Sequence, residues 1–213
     1  MASVAGSGPG PVIVFDLGGV LIDWNPRYLY RQLFEDEAAM EFFLTEICSP
    51  AWNARQDAGR SFAEAVTELS ERHPEQRALI EAYHHRWPEM IEGALDDTVA
   101  ILAQLVHAGF EVHALTNWSA ETFPIACDRF PFLDWFETIL VSGEVGMMKP
   151  DRAIFDLLLE RIDRPAAGTI FIDDSVPNIE AADALGFDAI RFTGADELRS
   201  ELTARGLFAG CTE

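Results

Sequence analysis

The stretch Val12-Ile13-Val14-Phe15-Asp16-Leu17-Gly18-Gly19-Val20-Leu21 decides the fold. Pro11 to Phe15 is a short apolar run rich in Val and Ile, which reads as a buried β-strand. An acid stands where the run ends, and two glycines follow it after one residue. Burying an unpaired carboxylate is costly, so packing gives no reason to place one there. Glycines beside it let the backbone turn sharply and approach a ligand closely. At the C-terminal edge of an open parallel sheet, that is where ligands bind. Asp16 is therefore a candidate nucleophile or metal ligand. On this stretch alone, a plain turn Asp behind a core strand is the stronger alternative.

Downstream, Asp23-Trp24-Asn25-Pro26 reads as a polar break, and residues 26 to 92 as helical throughout, with no strand-like run. Ser61 and Glu64 form a capping-box pattern ahead of Ala65, Val66 and Leu69. From Gly93 the pattern changes. Helical periodicity at Val99, Leu102, Leu105 and Val106 precedes a strand at 110–115. Further strands are predicted at 138–141, 169–172 and 188–192, separated by helices. Strands alternating with helices argue an α/β fold, a parallel sheet covered on both faces in a three-layer, Rossmann-like core. The expected division is a core from 11–24 and 93–213, an all-helical cap at 25–92 inserted after the first strand, and a disordered tail at 1–10.

Polar residues recur at strand ends. Asp16 follows the first strand, Thr116 and Asn117 the strand at 110–115, and Asp173 and Asp174 the strand at 169–172. Lys149 precedes Pro150 just before a helix. In a parallel sheet these ends share one edge. Each residue has a bland reading as a turn, a cap or a solvated charge, but their common location favours a site. Clustered carboxylates with no thiol or His partner suit a hard cation such as Mg²⁺, and a lone Lys with a hydroxyl and an amide suits a phosphoryl group. A carboxylate between them can attack phosphorus.

Asp16-Leu17-Gly18-Gly19-Val20-Leu21, Leu115-Thr116-Asn117, Lys149-Pro150 and Phe171-Ile172-Asp173-Asp174 resemble, in order, the four motifs of the haloacid dehalogenase superfamily. The resemblance covers about residues 11 to 193. It leans toward the phosphatase branch with a small helical cap, which includes bacterial glucose-1-phosphatases and the N-terminal phosphatase domain of epoxide hydrolase. It implies Asp16 as nucleophile and Mg²⁺ ligand, with the Gly18 carbonyl and Asp174 as further ligands. Thr116 and Asn117 would bind the phosphoryl group, and Lys149 would hold nucleophile and phosphoryl group together; Trp118, directly after Asn117, is by its position a candidate for contact with the leaving group. Asp173 and Asn178 would stand behind the metal ligands.

One position departs from the family. Most of its phosphatases carry an acid two residues after the nucleophile, where this chain has Gly18. Losing a positioned proton donor lowers rates on the order of a hundredfold or more. The expected activity is thus a Mg²⁺-dependent phosphomonoesterase favouring good leaving groups. A 2-haloacid dehalogenase, or a weakly catalytic binding or regulatory protein, is the alternative.

Composition narrows the partners. A formal charge of −21, from 15 basic and 36 acidic residues, disfavours nucleic acid, whose phosphates are held by Lys and Arg. Cys48, Cys127 and Cys211 form neither a zinc pattern nor a disulfide framework, which fits a reducing compartment. No apolar run approaches membrane-span length, and the N-terminus lacks a signal-peptide pattern. A cytoplasmic monomer or homodimer acting on a small phosphorylated metabolite, a sugar phosphate being one candidate, is expected. His84 and His85, adjacent on a helix, are read as solvated.

Overall fold

The computed structural model describes residues 10–208; the remainder of the predicted tail and Cys211 lie outside them. In chain order the elements begin with β1 (Val12–Phe15) and β2 (Ile22–Trp24). Five helices follow: α1 (Arg27–Tyr30), α2 (Glu37–Phe42), α3 (Pro50–Asp57), α4 (Phe62–Arg72) and α5 (Arg77–His85). Then come β3 (Ile91–Ala94), α6 (Asp96–His107), β4 (Val112–Thr116), α7 (Phe123–Arg129), β5 (Thr138–Val141), α8 (Ser142–Val145) and α9 (Arg152–Ile162). The chain closes with β6 (Thr169–Asp173), α10 (Val176–Ala184), β7 (Asp188–Arg191) and α11 (Ala195–Ala204).

The main sheet runs β5-β4-β1-β6-β7, with every pairing parallel. Successive side chains of a strand point to opposite faces, and β1 follows that rule into two different cores. Ile13 and Phe15 pack in the cluster holding Ile101, Leu102 and Leu105 of α6 and Leu198 and Leu202 of α11. Val12 and Val14 pack with Ile154, Phe155 and Leu158 of α9 and Ala182 of α10. That is the three-layer arrangement. The chain leaves β1 toward β4 and later returns on its other side at β6, so the switch in strand order falls beside Asp16.

Two features differ from the sequence reading. The Asp23–Pro26 segment is not simply a polar break: Ile22–Trp24 pairs antiparallel with Ile91–Ala94. The helical insertion is thus joined to the core through a two-stranded ribbon, whose backbone groups satisfy one another. Three- and four-residue strands are too short for an alternating pattern to register. The Arg129 guanidinium of α7 donates to the Ile91 carbonyl at 3.0 Å and to the Glu92 carbonyl at 2.8 Å, tying this ribbon to the core. The second difference is α7 itself, a short helix in a region where the sequence shows no clear period. The Ser61 cap on the Glu64 N–H forms as expected, at 3.3 Å.

Candidate active site

Asp16 leaves β1 with its backbone N–H on the Ile172 carbonyl at 2.8 Å. One carboxylate oxygen accepts the Leu17 N–H at 2.7 Å, and the other faces Lys149 Nζ at 3.0 Å. The turn that follows is tight. Leu21 and Ile22 both donate to the Leu17 carbonyl at 2.9 Å, and Gly19 takes a φ of +74°, where a side chain would be strained. A Cβ there would also sit 2.7 Å from Asp174 Oδ2. Gly19 is thus what allows Asp174 to approach the Asp16 turn. Gly18 is different: a Cβ on it would meet nothing within 4 Å.

Lys149 is fully enclosed, with 1% of its surface exposed. It donates to the Leu115 carbonyl at 2.8 Å and to Asp173 at 2.6 Å. Asn117 clamps its backbone: the amide donates to the Lys149 carbonyl at 2.9 Å and accepts the Lys149 N–H at 2.8 Å. Burial pulls the ammonium down, but Asp16 and Asp173 outweigh it and raise Lys149 above its ordinary pKa. It is therefore charged. Burial pushes Asp16 up to about 7, against the opposing pull of Lys149 and with a further push from Asp173. Burial and then Asp173 also raise Asp174.

Asp173 is the most heavily bonded of the acids. Its oxygens accept the Ser175 N–H at 2.8 Å and the Asn178 amide at 3.0 Å, besides Lys149. Asp174 has no such partners and lines the cleft. One oxygen each from Asp16, Asp173 and Asp174 lies within 4.8 Å of the others. Three acids with one Lys leave an excess of negative charge, and oxygen donors of this kind fit a hard cation. Asp16 and Asp173 each have both oxygens in contact with donors, whereas among the described residues no side-chain or backbone donor of another residue bonds the Asp174 carboxylate. Beside them the Thr116 hydroxyl is buried with no hydrogen-bond partner.

A cleft of about 680 Å³ opens between core and helical insertion, lined among others by Arg27, Asp57, Asn117, Lys149, Asp174 and Asn178. A narrower recess of about 70 Å³ adjoins it, lined by Gly18, Trp24, Asn53, Asp57, Trp87, Asn117, Trp118 and Thr122. The indole N–H groups of Trp24 and Trp118 have no partner there.

The family described as haloacid dehalogenase-like hydrolase matches residues 11–186. The chain belongs to the haloacid dehalogenase-like hydrolases. This hydrolase is 28% identical over 198 residues to a sesquiterpene phosphatase of Aspergillus oryzae, covering 93% of the chain and 96% of that protein. It is 25% identical over 176 residues to an (S)-2-haloacid dehalogenase of a Pseudomonas species, covering 83% of the chain and 73% of the relative. A family enzyme of Bacteroides thetaiotaomicron, solved as a magnesium complex, superposes with a TM-score of 0.69 at 23% identity, over 92% of this chain and 99% of the other.

The hydrolase's structure brings together Asp16, Gly18, Thr116, Asn117, Lys149, Asp173, Asp174 and Asn178, while Trp118 stands in the adjoining recess. Asn117, expected at the substrate, lines both cleft and recess, and its amide also holds the Lys149 backbone. His84, expected in solvent, is partly buried and stacks on Phe62 with ring centroids 4.5 Å apart. Trp52 packs against Tyr83 with ring centroids 5.1 Å apart, whereas Trp24 and Trp87 line the recess. Asp57 and Asn53, whose carboxylate and amide meet at 2.9 Å, escaped sequence reasoning. One signal was available: an acid in the last turn of a helix opposes the helix dipole.

Proposed function

We propose that this hydrolase is a Mg²⁺-dependent phosphomonoesterase. The observation that carries this is the Asp16–Lys149 pair beside the unpartnered Thr116 hydroxyl, with Asp174 held close through Gly19. In this reading an Asp16 oxygen bonds to phosphorus as the bond to the ester oxygen breaks, giving an aspartyl phosphate and the released alcohol, and water then cleaves the aspartyl phosphate to inorganic phosphate. Lys149 steadies the attacking carboxylate and the phosphoryl oxygens, and the Thr116 hydroxyl donates to one of those oxygens. Asn117 is a positioning residue for Lys149, as Asn178 is for Asp173. Asp16, Asp174 and the Gly18 carbonyl would hold Mg²⁺, which when bound supplies charge neutralisation for the transferring group.

Residues 25–92 would act as the cap and supply specificity, over a core of 11–24 and 93–213. Trp24, Trp87 and Trp118 favour a small phosphate ester with an apolar face toward the recess, a requirement that a flat sugar face also meets. The phosphatase relative supports the reaction class. The dehalogenase relative keeps carbon attack in view, but the acids clustered near Asp16 would repel a departing halide.

The test is hydrolysis of p-nitrophenyl phosphate with and without Mg²⁺, beside chloride release from 2-chloropropionate. Phosphate release that requires Mg²⁺, and that falls by several orders of magnitude in Asp16→Asn, is the expected result. Metal-independent chloride release without phosphate release would replace this reading with the dehalogenase one.

A further inference from the structure

Gly18 leaves the leaving-group side of the site without the acid that the reaction calls for. Among the residues that line the recess with Gly18, one is a carboxylate, and it comes from the helical insertion. Asp57 ends α3 and lines the same recess as Gly18, Asn117 and Trp118. Its position is fixed from three sides. The Asn53 amide, one turn back on α3, donates to Oδ2 at 2.9 Å. The Asp57 carbonyl accepts the Ser142 hydroxyl, and the same oxygen of Ser142 accepts the Trp118 N–H at 2.9 Å. Gly59 then passes close over α8, where a Cβ would meet the Gly143 carbonyl at 3.2 Å. The end of α3 is therefore stapled to the loop that follows Thr116 and Asn117. Among the described residues, no Lys, Arg or His forms an ion pair with Asp57, unlike Asp16 and Asp173.

We propose that Asp57 is the general acid and base of this hydrolase, standing in from the cap for the side chain that Gly18 lacks. The inference rests on the phosphomonoesterase reading above. As an Asp16 oxygen bonds to phosphorus, the bond from phosphorus to the ester oxygen breaks. That oxygen keeps the electron pair and takes the proton from the Asp57 carboxylic acid, leaving as an alcohol. In the second half, the Asp57 carboxylate takes a proton from water as its oxygen bonds to phosphorus. The bond to Asp16 breaks, inorganic phosphate leaves, and both carboxyl groups return to their starting states.

The environment suits that cycle. Burial pushes Asp57 up to about 7, with the Ser119 backbone N–H pulling the other way, so both protonation states are accessible near neutrality, as acid–base work requires. The groups facing it are Asn53 on its own helix, Ser119 from the loop after β4 and Tyr83 of α5. Burial and then the Asp57 charge hold Tyr83 well above its ordinary pKa, so it stays neutral.

The experiment is a single-turnover series of phosphate esters, from p-nitrophenyl phosphate to simple alkyl phosphates, on the Mg²⁺-loaded enzyme and on Asp57→Asn. The variant should slow the alkyl esters ~100-fold or more and p-nitrophenyl phosphate only a few-fold, since a weakly basic phenolate departs without a proton. Adding Gly18→Asp, a position with room for a side chain, should restore the alkyl rates. Asp57→Ser is run in parallel, with circular dichroism identifying folded variants. Equal slowing of all esters, or alkyl rates within a few-fold of the parent, would overturn the assignment. A parent that hydrolyses none of the esters would instead overturn the phosphomonoesterase reading, and this inference with it.

Discussion

At the residue scale, the acids of this site differ in what their neighbours allow them to do. Asp173 is bonded on both oxygens by Lys149, Asn178 and the Ser175 N–H. Asp16 is held between the Leu17 N–H and Lys149, and Asp174 lines the cleft. Asp57 has an amide and a backbone N–H but no cation, and its folded pKa of about 7 lies above that of an unfolded Asp. Between about pH 4 and 7 the folded chain then holds a proton the unfolded chain has lost, so this group's contribution to stability declines as pH rises through that window. Asp57→Asn removes the titration. Without added metal, its melting temperature should exceed the parent's above pH 7, and the gap should shrink toward pH 4. A gap that does not change with pH would contradict the burial-driven shift.

At the element scale, α3, α8 and the loop after β4 act as one joint. Gly143 lies where a Cβ would meet the Ala120 nitrogen at 2.5 Å and the Trp118 carbonyl at 2.7 Å. These are backbone atoms, which cannot swing aside. Gly143→Ala should lower stability by about 1–3 kcal/mol, as overpacking does, measured by urea unfolding. It should also slow turnover, because the displaced loop carries Asn117 and with it the Lys149 clamp. Ala at Gly18, where a Cβ meets nothing within 4 Å, should change stability far less and serves as the control.

At the scale of the whole molecule, a charge of −21 sets a repulsive background against any phosphate ester. Lys149 is the local answer to it, to which a cation held by the proposed site would add. Because Mg²⁺ would bind the folded chain and not the unfolded one, it should raise the melting temperature as its concentration rises. At a hundredfold excess over the dissociation constant the gain is about 2.7 kcal/mol. Asp174→Asn should abolish most of that shift, a readout independent of activity. The chain contains, among its described residues, no helix long and apolar enough to cross a membrane.

The sequence alone determined the alternating architecture, because β1, β4 and β6 are apolar runs ending in polar residues, a pattern set by burial on both faces. It also determined which polar residues gather at one place, since residues that sit at the same edge of a parallel sheet must converge. The roles within that edge were decided only in three dimensions. The Asn117 amide reaches the Lys149 backbone across 32 positions of sequence, and the β2–β3 ribbon pairs segments about 70 residues apart; no local period encodes either. The same holds for Asp57. In sequence it is one acid among 36 acidic residues, and only docking of the α3 end against Ser142 and Gly143 sets it on the recess that Gly18 also lines. Periodicity records which face of an element is buried, whereas a contact between two distant polar groups depends on how whole elements pack.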